Sequence, residues 1–91
     1  MDDFAKRKAH ITKEKIVARA IRKSPWWDAK IRDANCYYCE KKISDKEATM
    51  DHIVPLSRGG KSNHGNIVVA CKACNTAKGD LTAAEFLVEG R

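Results

Sequence analysis

Four cysteines in two Cys-x-x-Cys pairs restrict what this chain can fold into more than any other feature. The pairs are Cys36-Tyr37-Tyr38-Cys39 and Cys71-Lys72-Ala73-Cys74, and no cysteine lies outside them. Four thiolates at this spacing suit one tetrahedral structural zinc, Zn²⁺. The insert between the pairs runs from Glu40 to Ala70, longer than the roughly 15–20 residues of an ordinary zinc ribbon. The metal would therefore pin the entry and exit of a hairpin-like excursion. A site with four thiolates is coordinatively full, so it stabilises and leaves chemistry to other residues. The competing reading is a disulfide-linked secreted scaffold. It meets an N-terminus that is charged from Asp2 onward and carries no apolar leader-like stretch. The expected location is the reducing cytoplasm.

A clip of this kind matters because 91 residues make one small domain with a modest hydrophobic core. Lys and Arg number 18 against 12 Asp and Glu, a formal net charge of +6. That balance favours a polyanionic partner such as DNA or RNA. No apolar run approaches the roughly 20 residues of a membrane span, so no membrane partner is expected.

Residues 1–24 read as a basic helix, with Ile16, Val17, Ala20 and Ile21 at helical spacing. Pro25 disfavours helix at Ser24 and ends it there. Pro25-Trp26-Trp27 opens a second short helix to about Asp33. At least one tryptophan is expected against the cysteine knuckle and both read as core, the alternative being that one stacks on a nucleobase or a partner chain. Ala48 to Val54 reads as a strand stopped by Pro55, and Asn66 to Ala70 as a second strand. Ser57 to Gly65 is a loop by composition, in which His64 reads as solvent-exposed; His10 reads as a surface residue of the first helix. Cys71 to Lys78 suits a short helix with Gly79 at its C-terminal cap. Thr82-Ala83-Ala84-Glu85 is a capping box, predicting a last helix from Ala83 to about Val88. Residues 1–33 thus form a basic helical N-terminal extension and 34–91 the metal-bearing unit.

Between the cysteine pairs stands Met50-Asp51-His52-Ile53-Val54-Pro55, and Asn75 directly follows the second pair. Hydrolysis of a phosphodiester needs a deprotonated water and relief of the charge on the leaving oxygen. A histidine titrates in the right range for a general base, and a divalent metal acts as Lewis acid. Asp51 and Asn75 offer two hard oxygen ligands, suited to Mg²⁺ or Mn²⁺. Alternatively, Asp51-His52 is a turn with satisfied side chains, Asn66 a turn residue and Asn75 a helix cap. Adjacent strand residues point to opposite faces, so a regular strand cannot aim Asp51 and His52 at one atom.

These residues resemble the HNH endonucleases with the ββα-metal fold. The matching stretches are Met50 to Gly60, Asn66-Ile67-Val68, Cys71-Lys72-Ala73-Cys74-Asn75 and Lys78-Gly79. The resemblance covers residues 36–79. It implies a small α+β fold, a ββα-metal (His-Me finger) core with a four-cysteine zinc knuckle, flanked by the basic helix and a short C-terminal helix. It implies that His52 activates water, that Asp51 and Asn75 hold the catalytic metal, and that Asn66 holds the loop so that the base is oriented. Cys36, Cys39, Cys71 and Cys74 fall where zinc-bearing members have their ligands. The last motif position is Asn75 and not His, which makes an all-oxygen pair with Asp51.

The expected activity is metal-dependent cleavage of double-stranded DNA, with Arg58, Lys61, Lys72 and Lys78 as candidate phosphate contacts. A monomer would nick, and a homodimer could cut both strands. Two other readings are a zinc-knuckle DNA-binding module without cleavage and a subunit of a larger phage or restriction machine.

Overall fold

The computed structural model describes residues 3–89. Helix α1 (Asp3–Arg22) is long, basic and exposed on most of its circumference; only Glu14 and Ala18 are buried. Ser24 then turns the chain, in extended backbone, and its hydroxyl caps helix α2 (Pro25–Ile31) by accepting from the Trp27 amide. Pro25 at the first helical position loses nothing, since that amide has no helical partner.

Strands β1 (Ala48–His52) and β2 (Ile67–Cys71) pair antiparallel, with Ala48 opposite Cys71 and His52 opposite Ile67. β1 is shorter than predicted. Beyond it, both main-chain groups of Val54 bond to the Asn66 side chain, so the backbone leaves the ladder. Likewise Asn66 ends a 3₁₀ turn (His64–Asn66), and β2 begins one residue later than predicted. Helix α3 (Lys72–Lys78) leaves β2 directly and packs on both strands, completing a ββα unit. Helix α4 (Ala83–Glu89) starts with the predicted reciprocal cap: the Thr82 amide donates to Glu85 at 3.0 Å and the Glu85 amide to the Thr82 hydroxyl at 3.1 Å.

The core joins the cysteine knuckle to the hairpin. Trp27, Ala34, Cys36, Ile43, Ile67, Val69, Ala70 and Cys71 form one buried cluster. Trp27 therefore packs with the knuckle, as expected of one tryptophan. Trp26 is half-buried and stacks on His64, with ring centroids 3.8 Å apart. His64 is exposed yet not free, because that stack ties α2 to the loop before Asn66. Among the described residues no helix is long and apolar enough to cross a membrane. The architecture is a small α+β fold, a ββα-metal core with a clustered set of four cysteines.

Candidate active site

The cysteine pairs converge from two directions. Cys36 and Cys39 sit on the knuckle after α2, where Glu40 takes a left-handed φ of 64° and its amide returns to the Cys36 carbonyl at 2.9 Å. Cys71 ends β2 and Cys74 lies on α3. All four sulfurs lie within 4.8 Å of one another. A tetrahedral ion with Zn–S near 2.3 Å needs an edge of about 3.8 Å, and Cys39 and Cys71 stand 4.0 Å apart. All four are free cysteines, and their convergence on one point suits a shared ion. Burial pushes the Cys36 thiol up, but the amides of Cys39, Cys71 and Tyr38 outweigh it and bring it down to about 6. Cys74 is pushed up to about 12 by burial and by hydrogen bonding with the other three thiols. The sulfurs stand close enough for all four to reach one ion, and as thiolates they would need its positive charge, so the donor set could hold a zinc ion.

Asp51 and His52 leave β1 on opposite faces. Asp51 is 4 % exposed. One of its oxygens accepts from the Tyr38 hydroxyl. The other faces the Lys78 ammonium at 3.2 Å. Burial, followed by the bond to Asp51, raises the Tyr38 pKa far above its ordinary value, so the phenol remains a donor. Asn75, on α3, donates its amide to the Thr49 hydroxyl at 3.0 Å. Thr49 lies two residues before Asp51, hence on the same strand face. With its NH₂ end engaged, Asn75 has its carbonyl oxygen left for another partner.

On the other face, His52 Nε2 lies 2.9 Å from the Ser62 hydroxyl. Burial lowers the His52 pKa below the ordinary value; Asp51 opposes the shift, while Arg22 and Lys78 add to it. The lowered pKa favours the neutral imidazole. Asn66 closes the loop between the strands. Its NH₂ donates to the carbonyls of Val54 at 3.0 Å and Lys61 at 2.8 Å, and its oxygen accepts from the Val54 amide at 2.9 Å. Gly60 allows the loop to fold this tightly, since a Cβ there would stand 1.8 Å from the Val54 carbonyl oxygen.

The expected phosphate contacts divide. Lys61 and Lys72 are exposed. Arg58 is exposed but pinned, in a bidentate pair with Glu85 at 2.9 and 3.1 Å. That pair, led by the Arg58 hydrogen bond, lowers Glu85 to about 2. Lys78 is not a surface cation at all. Its side chain is 1 % exposed, held by Asp51 and by the His52 carbonyl at 3.0 Å, so it cannot meet a phosphate in this arrangement. His10 also departs from expectation: it is half-buried, with Nε2 2.7 Å from the Gly60 carbonyl. Sequence reading missed Tyr38, Ser62 and Glu14. Tyr38 lies inside a Cys-x-x-Cys pair and reads as knuckle filler, while Ser62 and Glu14 carry no local motif.

Two comparisons with known proteins agree with this geometry. Residues 36–89 match the family described as HNH endonuclease. A 54-residue stretch is 37 % identical to the CRISPR-associated endonuclease Cas9 of Corynebacterium diphtheriae, covering 58 % of this chain and 5 % of that protein. The chain thus spans a small fraction of that relative's length. The family match takes in β1, the Asn66 loop, β2, α3 and the four cysteines together, and this chain belongs to the HNH endonuclease family.

Proposed function

We propose that this chain is a divalent-metal-dependent endonuclease that hydrolyses DNA phosphodiester bonds, with Zn²⁺ held by Cys36, Cys39, Cys71 and Cys74 as a structural clip. The observation that supports the reading is the loop after β1 that the Asn66 side chain closes: it holds His52, whose pKa burial lowers, while Asp51 and Asn75 offer oxygen donors from the opposite face of the strand. His52 takes the proton of the attacking water. Asn66 keeps the chain after β1 from swinging, which holds the imidazole in place.

The donors suit a hard ion in type. A carboxylate offers about four lone-pair sites, and Tyr38 and Lys78 use one each. Asp51 and Asn75 would hold Mg²⁺ or Mn²⁺, which supplies Lewis-acid relief of charge at the phosphate and leaving oxygen. Lys61 and Lys72 serve the substrate backbone. Lys72 joins Lys41, Lys46 and Thr49 around a groove of about 400 Å³. Membership of the HNH endonuclease family and the net charge of +6 support a DNA substrate.

One observation favours a second reading, a DNA-binding module that does not cut: Lys78 already neutralises Asp51. Incubating the zinc-loaded protein with supercoiled plasmid, with and without Mg²⁺ or Mn²⁺, separates the two. Metal-dependent nicked or linear product supports the nuclease. A gel shift without cutting under either metal supports the binding module.

A further inference from the structure

Glu14 is a buried carboxylate on a helix that is otherwise basic and mostly exposed. It lies outside the stretch matched to the HNH family, residues 36–89. A buried charge persists only where it is hydrogen-bonded, and Glu14 spends its bonds on one residue. Its Oε1 accepts from the Ser62 amide at 2.6 Å, and its main-chain carbonyl accepts from the Ser62 hydroxyl at 2.8 Å. One helical turn earlier, His10 donates Nε2–H to the Gly60 carbonyl at 2.7 Å. Positions 10 and 14 share a helix face, so a single face of α1 grips the loop from Gly60 to Ser62.

The consequence reaches His52. A serine hydroxyl has one proton, and that of Ser62 is directed at the Glu14 carbonyl. Its contact with His52 Nε2 at 2.9 Å then requires Ser62 Oγ to be the acceptor and Nε2 the donor. A neutral imidazole with a proton on Nε2 has a bare Nδ1. In the opposite tautomer, two lone pairs would face each other across a partly buried contact. We infer that Glu14 and Ser62 are positioning residues: α1 fixes the tautomer of His52 through them, so that Nδ1 is the atom that accepts the water proton. The catalytic consequence rests on the nuclease reading; the tautomer does not. The N-terminal helix is then part of the working site and not only a basic surface.

The test reads the tautomer and the rate separately. Histidine ¹⁵N spectra of the full, zinc-loaded chain above the His52 titration should show Nε2 protonated and Nδ1 bare. Ser62→Ala should give a mixture of tautomers. It should also lower kcat for plasmid cleavage by about ten-fold or more, within the roughly 10²–10⁴-fold a general base supplies, with KM unchanged. Ser62→Thr, which keeps the hydroxyl, should restore both readouts. Glu14→Ala leaves Ser62 in place but frees the loop, and should mix the tautomers as well. Zinc content and circular dichroism check that each variant is folded, and the wild-type spectrum stands even where a variant is not. A wild-type His52 protonated at Nδ1 overturns the inference. So does a Ser62→Ala protein that loses rate while its His52 spectrum is unchanged. If the spectra behave as expected but no protein cuts DNA, the clamp is supported and the nuclease reading fails.

Discussion

Replacing Lys78 by Met isolates the one buried ion pair at the site. The Lys78 side chain is 1 % exposed and its Asp51 partner 4 %, so solvent screens the pair little. Met follows the aliphatic stem closely, which keeps the cavity contribution small. What is lost is the 3.2 Å contact to Asp51 and the 3.0 Å bond to the His52 carbonyl. Asp51 is left with the Tyr38 hydroxyl alone. Removing one partner of a buried pair typically costs about 3–5 kcal/mol, a large share of the about 5–15 kcal/mol that holds a domain together. With a urea slope near 1.5 kcal/mol/M, a loss of about 4 kcal/mol lowers the midpoint by about 2–3 M. Trp27, buried in the core, provides the fluorescence signal, with zinc present and no other divalent ion added. Asp51→Asn on top of Lys78→Met should recover much of the loss, because the orphaned charge is gone. Mg²⁺ should also stabilise Lys78→Met, by about 2.7 kcal/mol at a hundredfold excess over Kd, and stabilise the wild type less. A single-variant loss below about 1 kcal/mol, with no recovery in the double variant, would refute this account of Asp51.

Three further outcomes follow from the same geometry. Stripping zinc with a chelator, or replacing Cys71 by Ser, should unfold the chain, since structural zinc contributes about 10–16 kcal/mol to such folds; unchanged circular dichroism in metal-free protein would contradict the clip. Asn66→Ala removes three hydrogen bonds to Val54 and Lys61. At about 0.5–1.5 kcal/mol each, the cost should be about 2–4 kcal/mol in denaturant melts, with a fall in cleavage rate beyond any loss of folded protein. The base works in its neutral form and its pKa is lowered, so kcat/KM should rise with pH through an inflection below the usual histidine value of about 6.5. A divalent ion on Asp51 pushes the same way by cancelling the carboxylate, so an inflection above 7 would be the wrong sign.

What is legible in the sequence is local. The Cys-x-x-Cys spacing and the Thr82–Glu85 cap are short-range patterns, and the structure gathers the four sulfurs within 4.8 Å and forms the cap; Asp51-His52 and Asn66 stand out as a local motif, and the roles given to them belong to the proposed function. The strand ends are less legible, because Asn66 competes for the Val54 backbone by a side-chain bond that propensity does not contain. Lys78 reads as a surface cation and is not one. A lysine on a short polar helix looks solvated until Asp51, on another element, is seen to bury it. Arg58 reads as free for the same reason, its partner Glu85 being 27 residues away. The hold of α1 on the loop is least legible of all: its contacts span 48 and 50 residues, and Glu14 sits in a run of cations as if it were one more solvated charge. Basic composition describes the outer face of that helix and hides the inner one.

The most direct test of the central claim is single-turnover cleavage of plasmid DNA by His52→Ala beside the wild type, both with full zinc and the same circular dichroism. The account predicts that the variant binds DNA as well as the wild type and cuts roughly 10²–10⁴-fold more slowly, the share a general base supplies. A His52→Ala protein that cuts at the wild-type rate would show that the base lies elsewhere.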